Sequence, residues 1–315
     1  MQTLSASLLL VVSCAVVSAA PWSKAQADPP PAATSKSAPR VTMTVLADAE
    51  AVAPGSTFTL AVHCALAPGW HTYWPGVNDT GAQASIDLTL PSGWTVGSAQ
   101  WPAPHRSVAP GDLLDHVLEG EFSLLYDIHV PSDAQVGAQA SIKAAAQWMV
   151  CKDVCVIESR EADVNVRVED ERRASSGGVA VVSAARKNVP TRDLPAPLSV
   201  SATAREFSAR WEGATSLVFA PWAGGVDYPR LLKQGERKSD ALAVTVVVPE
   251  GEAGAAPRVE GVLTGTFGSP AEKTTRSVWV SVPILTEKSA SPPDHVAPER
   301  QGGAAPPETQ GKGGK

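Results

Sequence analysis

The 315-residue chain is poor in residues that do covalent chemistry, with four cysteines, three tyrosines and three methionines. It has no Gly-x-Ser-x-Gly elbow, phosphate-binding Gly loop, dinucleotide fingerprint or His-Glu-x-x-His helix, which removes the commonest hydrolase, nucleotide and zinc-peptidase readings. After the first twenty residues no apolar run approaches the roughly 20 residues that a spanning helix needs. The longest surrounds Ala243-Val244-Thr245-Val246-Val247-Val248. Lysine and arginine form no cluster and the net charge is −6. Neither a nucleic-acid surface nor docking on anionic lipid is therefore expected. Proteins or small molecules remain as partners.

What is present begins with a short apolar stretch, Leu8-Leu9-Leu10-Val11-Val12, followed by Val17-Ser18-Ala19-Ala20. This reads as a secretory signal over 1–19, cut near Ala19. Val11-Val12-Ser13-Cys14 also resembles a lipoprotein box, so an acyl anchor on Cys14 is the alternative. The mature chain is expected in the periplasm or secreted, without an integral membrane segment. There disulfides persist, and three cysteines remain: Cys64, Cys151 and Cys155. Residues 20–39 are rich in Pro, Ala, Ser and Lys and read as a disordered linker. Residues 286–315 read as a disordered Pro/Gly tail.

Between these ends, short alternating apolar runs separated by Pro, Gly and Asp predict an all-β protein, an antiparallel sandwich or barrel. Strands are expected near 41–47, 57–66, 84–90, 94–100, 121–130, 140–151 and 155–168. In 57–66, Phe58, Leu60, Val62, Cys64 and Leu66 share one face, which turns Cys64 into the core as an inert thiol. The charged and small residues of 169–178 mark a boundary between a domain at 40–168 and a second, smaller β domain at 179–285. The latter opens on a short helix at 179–187. Its strands are expected near 198–211, 215–220, 242–249, 257–266 and 276–284.

The strongest candidate site is Cys151-Lys152-Asp153-Val154-Cys155. Residues four apart in a strand lie about 13 Å apart, whereas bonded cysteines need Cα atoms about 4.4–6.8 Å apart, so a bond here requires the chain to fold back. The β-branched and aromatic flanks favour a hairpin tip. Closing so short a loop stabilises by only about 2 kcal/mol, against about 4.7 for a 100-residue loop, which favours a working thiol pair over a staple. An interaction module with a plain structural disulfide is one alternative. Lys152 favours a thiolate and Asp153 opposes it. Copper is the other alternative, because Cys-x3-Cys with imidazoles suits that metal. Here, however, Val156-Ile157-Glu158-Ser159 follows without a histidine, and only the distant His71, His105 and His116 are candidates. No cofactor or metal is expected. Asp112, Asp115, Glu119 and Glu121 read as a solvated loop and strand start. Trp70, Tyr73, Trp74 and Trp101 sit beside turn-forming Pro and Gly, placed either to cover a hairpin tip or to pack in the core.

Gly69-Trp70-His71-Thr72-Tyr73-Trp74, Asn78-Asp79-Thr80-Gly81, Trp101-Pro102-Ala103-Pro104, Glu119-Gly120-Glu121 and Trp148-Met149-Val150-Cys151-Lys152-Asp153-Val154-Cys155 resemble, in order and spacing, the periplasmic N-terminal region of DsbD/ScsB-type protein-disulfide reductases. The resemblance covers about 40–165, with a weaker extension through Trp211-Glu212-Gly213. It implies an immunoglobulin-like sandwich in which Cys151 and Cys155 bond to each other as the redox pair and Cys64 stays free. It also implies reductant from a membrane thiol transporter and exported, thioredoxin-like clients. Ile157 stands where ScsB-type members usually have proline. Neither a transmembrane electron-transfer domain nor a terminal thioredoxin-like domain follows in this sequence, so the transporter is expected to be a separate protein.

Overall fold

The computed structural model describes residues 38–249 and 257–284. The signal, Cys14, most of the linker and the tail at 286–315 lie outside the described residues. In chain order the elements are β1 (Val41–Ala47), β2 (Ala49–Val52), β3 (Thr57–Leu66), β4 (His71–Tyr73), β5 (Ser85–Thr89), β6 (Thr95–Val96), β7 (His105–Ala109), β8 (Leu113–Glu119), β9 (Glu121–His129), β10 (Gln139–Cys151), β11 (Cys155–Val168) and β12 (Arg173–Ala174). There follow α1 (Ser176–Arg186), β13 (Leu198–Ala202), β14 (Glu206–Trp211), β15 (Ala214–Pro221), α2 (Leu231–Gln234), β16 (Glu236–Arg237), β17 (Ala241–Thr245), β18 (Arg258–Ser269) and β19 (Glu272–Pro283).

The fold is all-β and immunoglobulin-like in its first part. One sheet runs β1-β3-β9-β6, and it faces a larger one ordered β12-β2-β11-β10-β4-β8-β7, with β5 also paired to β10. Alternation builds the core between them. Along β10, Ala140, Ile142, Ala144, Ala146, Trp148 and Val150 point inward while Gln139, Ser141, Lys143, Ala145 and Gln147 face solvent. Phe58, Leu60, Val62 and Cys64 of β3 meet them from the other sheet.

Helix α1, which the sequence groups with the later segment, packs on the outer face of the smaller sheet. There Val182 and Ala185 cover Ala61 and Leu125. Ser175 caps it, its Oγ accepting from Gly178 N–H at 3.3 Å. Gly178 lies against the Ala47 carbonyl, where a Cβ would collide. Beyond α1 a second, smaller β unit is built from sheets β13-β14-β17 and β16-β15-β18-β19, around Phe207, Trp211, Leu217, Phe219 and Val244. The expected single strand at 198–211 is two strands, because Thr203 Oγ1 accepts from Arg205 N–H and Glu206 N–H and so closes a turn.

Candidate functional site

Strands β10 and β11 form the longest hairpin, with Cys151 directly opposite Cys155 in the register. Lys152, Asp153 and Val154 make the connection, and the two cysteines are joined by a disulfide with Cα atoms 4.1 Å apart. The β-branched residues Val150, Val156 and Ile157 occupy the last rungs beside Met149, a composition that suits a strand to its very end. On its other side β10 pairs with β4, placing His71 opposite Cys151, and β4 pairs with β8, placing Tyr73 opposite Val117.

Parity decides which side chains meet the sulfurs. Side chains directly opposite one another share a face, and so do residues two apart. Cys151, His71, Tyr73, Val117 and Met149 therefore lie on the outer face of the larger sheet. Cys151 is nevertheless only 3% exposed, because Tyr73 and Val117 close over it. The Tyr73 hydroxyl donates to Cys151 Sγ at 3.1 Å and lies 4.0 Å from Cys155 Sγ. The His71 ring meets the Tyr73 ring edge-on at 5.5 Å. Cys155 itself is exposed. The residues beside it, Val154 and Ile157, are 62% and 56% exposed, an apolar rim next to an exposed cysteine. The Lys152 side chain runs back over Gly69, where the absent Cβ and a φ of 78° leave it room.

Of the four rings weighed as a cover or as core packing, Tyr73 alone shares a packing cluster with Cys151. Trp70 and Trp74 flank β4 with the opposite parity and turn to the sandwich core. Trp70 lies under the Arg40 guanidinium, which is 5.0 Å from its ring. Trp74 is fully buried against Trp222 at 5.1 Å. Trp101 lines a cavity with Trp74, Trp222 and Trp279. The element lying on Tyr73 is instead the loop through Asn78-Asp79-Thr80-Gly81. Gly81, at φ 65°, sits against the Tyr73 ring so closely that a Cβ would overlap it, and Thr80 Oγ1 lies 3.5 Å from the Tyr73 hydroxyl.

That loop is tied to β8 through partly buried hydrogen bonds. Asp115 accepts from Thr80 N–H at 2.9 Å and from the Thr80 hydroxyl at 2.6 Å, and Asp79 accepts from Leu114 N–H at 2.7 Å. Asn78 accepts from His116 N–H at 2.7 Å and donates to the Trp74 and Gly76 carbonyls. Asp115 is thus a buried tether rather than the solvated carboxylate its sequence context suggests. His116 is fully buried, its Nδ1 donating to the Val77 carbonyl at 2.6 Å. Burial lowers its pKa. His105 is exposed, and His71 stands beside the disulfide. Among the described residues no group of three His, Cys, Asp or Glu side chains is placed to hold a metal ion. Cys64 is a free, buried thiol whose pKa burial pushes up to about 12.

The first part of the chain is therefore a β-sandwich presenting one disulfide at its hairpin tip, with one cysteine buried under a tyrosine and the other exposed. Residues 42–166 match the family described as Thiol:disulfide interchange protein DsbD, N-terminal, and this stretch is a domain of that kind. Among solved structures the chain is similar to the N-terminal periplasmic domain of ScsB from Proteus mirabilis, at 18% identity and TM-score 0.49 over 76% of this chain and 92% of that one. It is also similar to the sporulation control protein Spo0M of Bacillus subtilis, at 11% identity and TM-score 0.23 over 77% and 91%. A third is BcpA, the major pilin subunit of Bacillus cereus, at 10% identity and TM-score 0.23 over 79% and 67%. No curated protein matches the chain.

Proposed function

We propose that this domain is an exported thiol–disulfide interchange module that passes two electrons from a membrane thiol transporter to exported, thioredoxin-like proteins. The observation that carries this reading is the contrast between the two cysteines: Cys155 is an exposed residue, and Cys151 is buried under a hydroxyl donor. Exchange proceeds by attack of a thiolate on one sulfur with departure of the other as thiolate. A donor thiolate that docks over Val154 and Ile157 reaches Cys155 Sγ. The S–S bond breaks toward Cys151, whose developing charge meets the Tyr73 O–H. The donor's second thiol then displaces Cys155 from the mixed disulfide, leaving two protein thiols and an oxidised donor. In the second half-reaction Cys155 attacks a client disulfide and releases one client thiolate. Cys151 attacks Cys155 Sγ, re-forms the bond and releases the other. Two electrons and two protons pass to the client.

Trapping tests the reading. Cys151→Ser should accumulate a mixed disulfide between Cys155 and an oxidised thioredoxin-like protein, visible on non-reducing gels, while Cys155→Ser should form far less. Equal trapping by both variants would remove the assignment of roles. A potential of the pair between about −180 and −230 mV supports a relay, whereas one below about −300 mV would make the bond structural.

A further inference from the structure

Away from the disulfide, the described residues enclose a cavity of about 430 Å3 walled by Trp74, Trp101, Trp222 and Trp279. The rings touch edge to face, Trp74 to Trp222 at 5.1 Å and Trp222 to Trp279 at 5.3 Å. Main-chain hydrogen bonds hold the walls: Val77 N–H donates to the Pro221 carbonyl at 3.0 Å, Trp222 N–H to Glu260 at 2.8 Å and Trp279 N–H to Thr191 at 2.8 Å. The cavity is therefore preformed, and a guest pays little to shape it. Arg192 lines it while remaining exposed, its guanidinium 5.6 Å from the Trp279 ring. It makes no ion pair among the described residues. Trp74, fully buried in the wall, has an indole N–H without an acceptor among them.

Indole faces beside one unpaired cation select a guest with apolar rings next to a carboxylate. Proline meets the first demand, since proline-rich segments dock on aromatic grooves in a preformed extended helix with outward carbonyls. The sequence after Ile284 repeats this chemistry. Pro292-Pro293-Asp294, Pro298-Glu299 and Pro306-Pro307-Glu308 account for every proline there, and a carboxylate directly follows each run. The reach suffices. Trp279 precedes Ile284 by five residues, about 17 Å along an extended chain. The eight steps from Ile284 to Pro292 span up to about 28 Å.

We propose that this cavity is a receptor for a proline–carboxylate segment, and that its occupant is the chain's own Pro292-Pro293-Asp294. The prolines lie against the indole faces and Asp294 pairs with Arg192. Tethering raises the local concentration to the millimolar range, so a weak contact suffices.

The test uses the full chain and indole N–H resonances assigned by single Trp substitutions. Replacing Pro292, Pro293, Pro298, Pro306 and Pro307 by Ala should move the resonances of Trp101, Trp222 and Trp279 and leave that of Trp94, in the first sandwich, unchanged. Arg192→Ala should shift the same set in the same direction. A synthetic peptide of residues Ser289–Arg300 should bind the five-Ala variant saturably and restore the wild-type positions. Its apparent affinity for the wild type should be at least about tenfold weaker, because the tethered segment competes. Coincident indole resonances in wild type and variant would overturn the proposal. Equal peptide binding by both would also overturn it, since the cavity would then be open in the intact chain to an external proline segment.

Discussion

Tyr73 sets the difference between two cysteines that are near neighbours in sequence. A hydrogen bond to a charged partner contributes roughly 1.5–3 kcal/mol. Tyr73→Phe, which removes only the hydroxyl, should therefore slow reduction of the disulfide by dithiothreitol several-fold, because the departing Cys151 thiolate loses its donor. An unchanged rate would show that the hydroxyl does not reach the thiolate. Three residues past Cys155, Glu158 gathers donors at the start of β1: Arg40 N–H, Val41 N–H and the guanidiniums of Arg40 and Arg160. Burial works to raise its pKa, but the Arg40 and Val41 hydrogen bonds and the Arg160 charge outweigh it and hold the carboxyl below its ordinary value. A carboxylate depressed in this way adds stability above its unfolded pKa of about 4.3 and loses it as pH falls through the folded value. Glu158→Gln should accordingly lower the melting temperature at neutral pH, and the gap to wild type should close on acidification below about pH 4.

At the scale of elements, the loop 78–81, pinned by Asp115 and with Gly81 against the Tyr73 ring, backs the tyrosine that shelters Cys151. Asp115→Ala removes the acceptor of the Thr80 N–H and of the Thr80 hydroxyl, two partly buried hydrogen bonds worth about 0.5–1.5 kcal/mol each. Loosening this loop should speed dithiothreitol reduction several-fold while circular dichroism stays β-type. An unchanged rate would detach the loop from access to the sulfurs. The tryptophans behave oppositely. Trp74→Ala should cost about 3–5 kcal/mol as a fully buried ring, and Trp101→Ala less, with neither raising the reduction rate of the folded protein. Both face the core or its cavity, while the disulfide occupies the other face of the sheet.

For the whole molecule, two large cores make the disulfide a minor contributor to stability. The connection it closes is three residues, so replacing both Cys151 and Cys155 by Ser should lower unfolding free energy by about 2 kcal/mol, measured by urea titration, with the fold retained. Collapse of the fold would instead mark the bond as a structural staple. Cys64 should resist alkylation in the native state and react only on unfolding, since its thiol is buried and its pKa is pushed up to about 12. The two β units share packed side chains: Trp74 of the first meets Trp222 of the second, and Leu114 of β8 belongs to the second unit's core. Strand β8 thereby joins the loop behind Tyr73 to the neighbouring unit.

Period-two alternation, the strand breakers and the spacing of the two cysteines were enough to read the long strands, the inward Cys64 and a hairpin tip carrying the pair, because these depend on which side of a local strand each residue occupies. β8 escaped that reading. Five of its seven residues are buried, since Leu114 and Leu118 meet the two cores while Asp115 and His116, on opposite faces, are both bonded to the loop 77–80, so the strand shows no polar-out alternation. β4 is three residues long, too short for a period, and its pairing alone turns Tyr73 to the sulfurs and Trp70 and Trp74 away. The inequality of Cys151 and Cys155 is likewise tertiary. β10 is flanked by β4 and β11 at this end, whereas β11 meets its other neighbour β2 only at Arg167 and Val168, so its first residues form an open edge. Local pattern determines that a strand exists and which residues share a face. Which face is covered, and by what, is decided by residues far along the chain that only the folded sheets bring alongside.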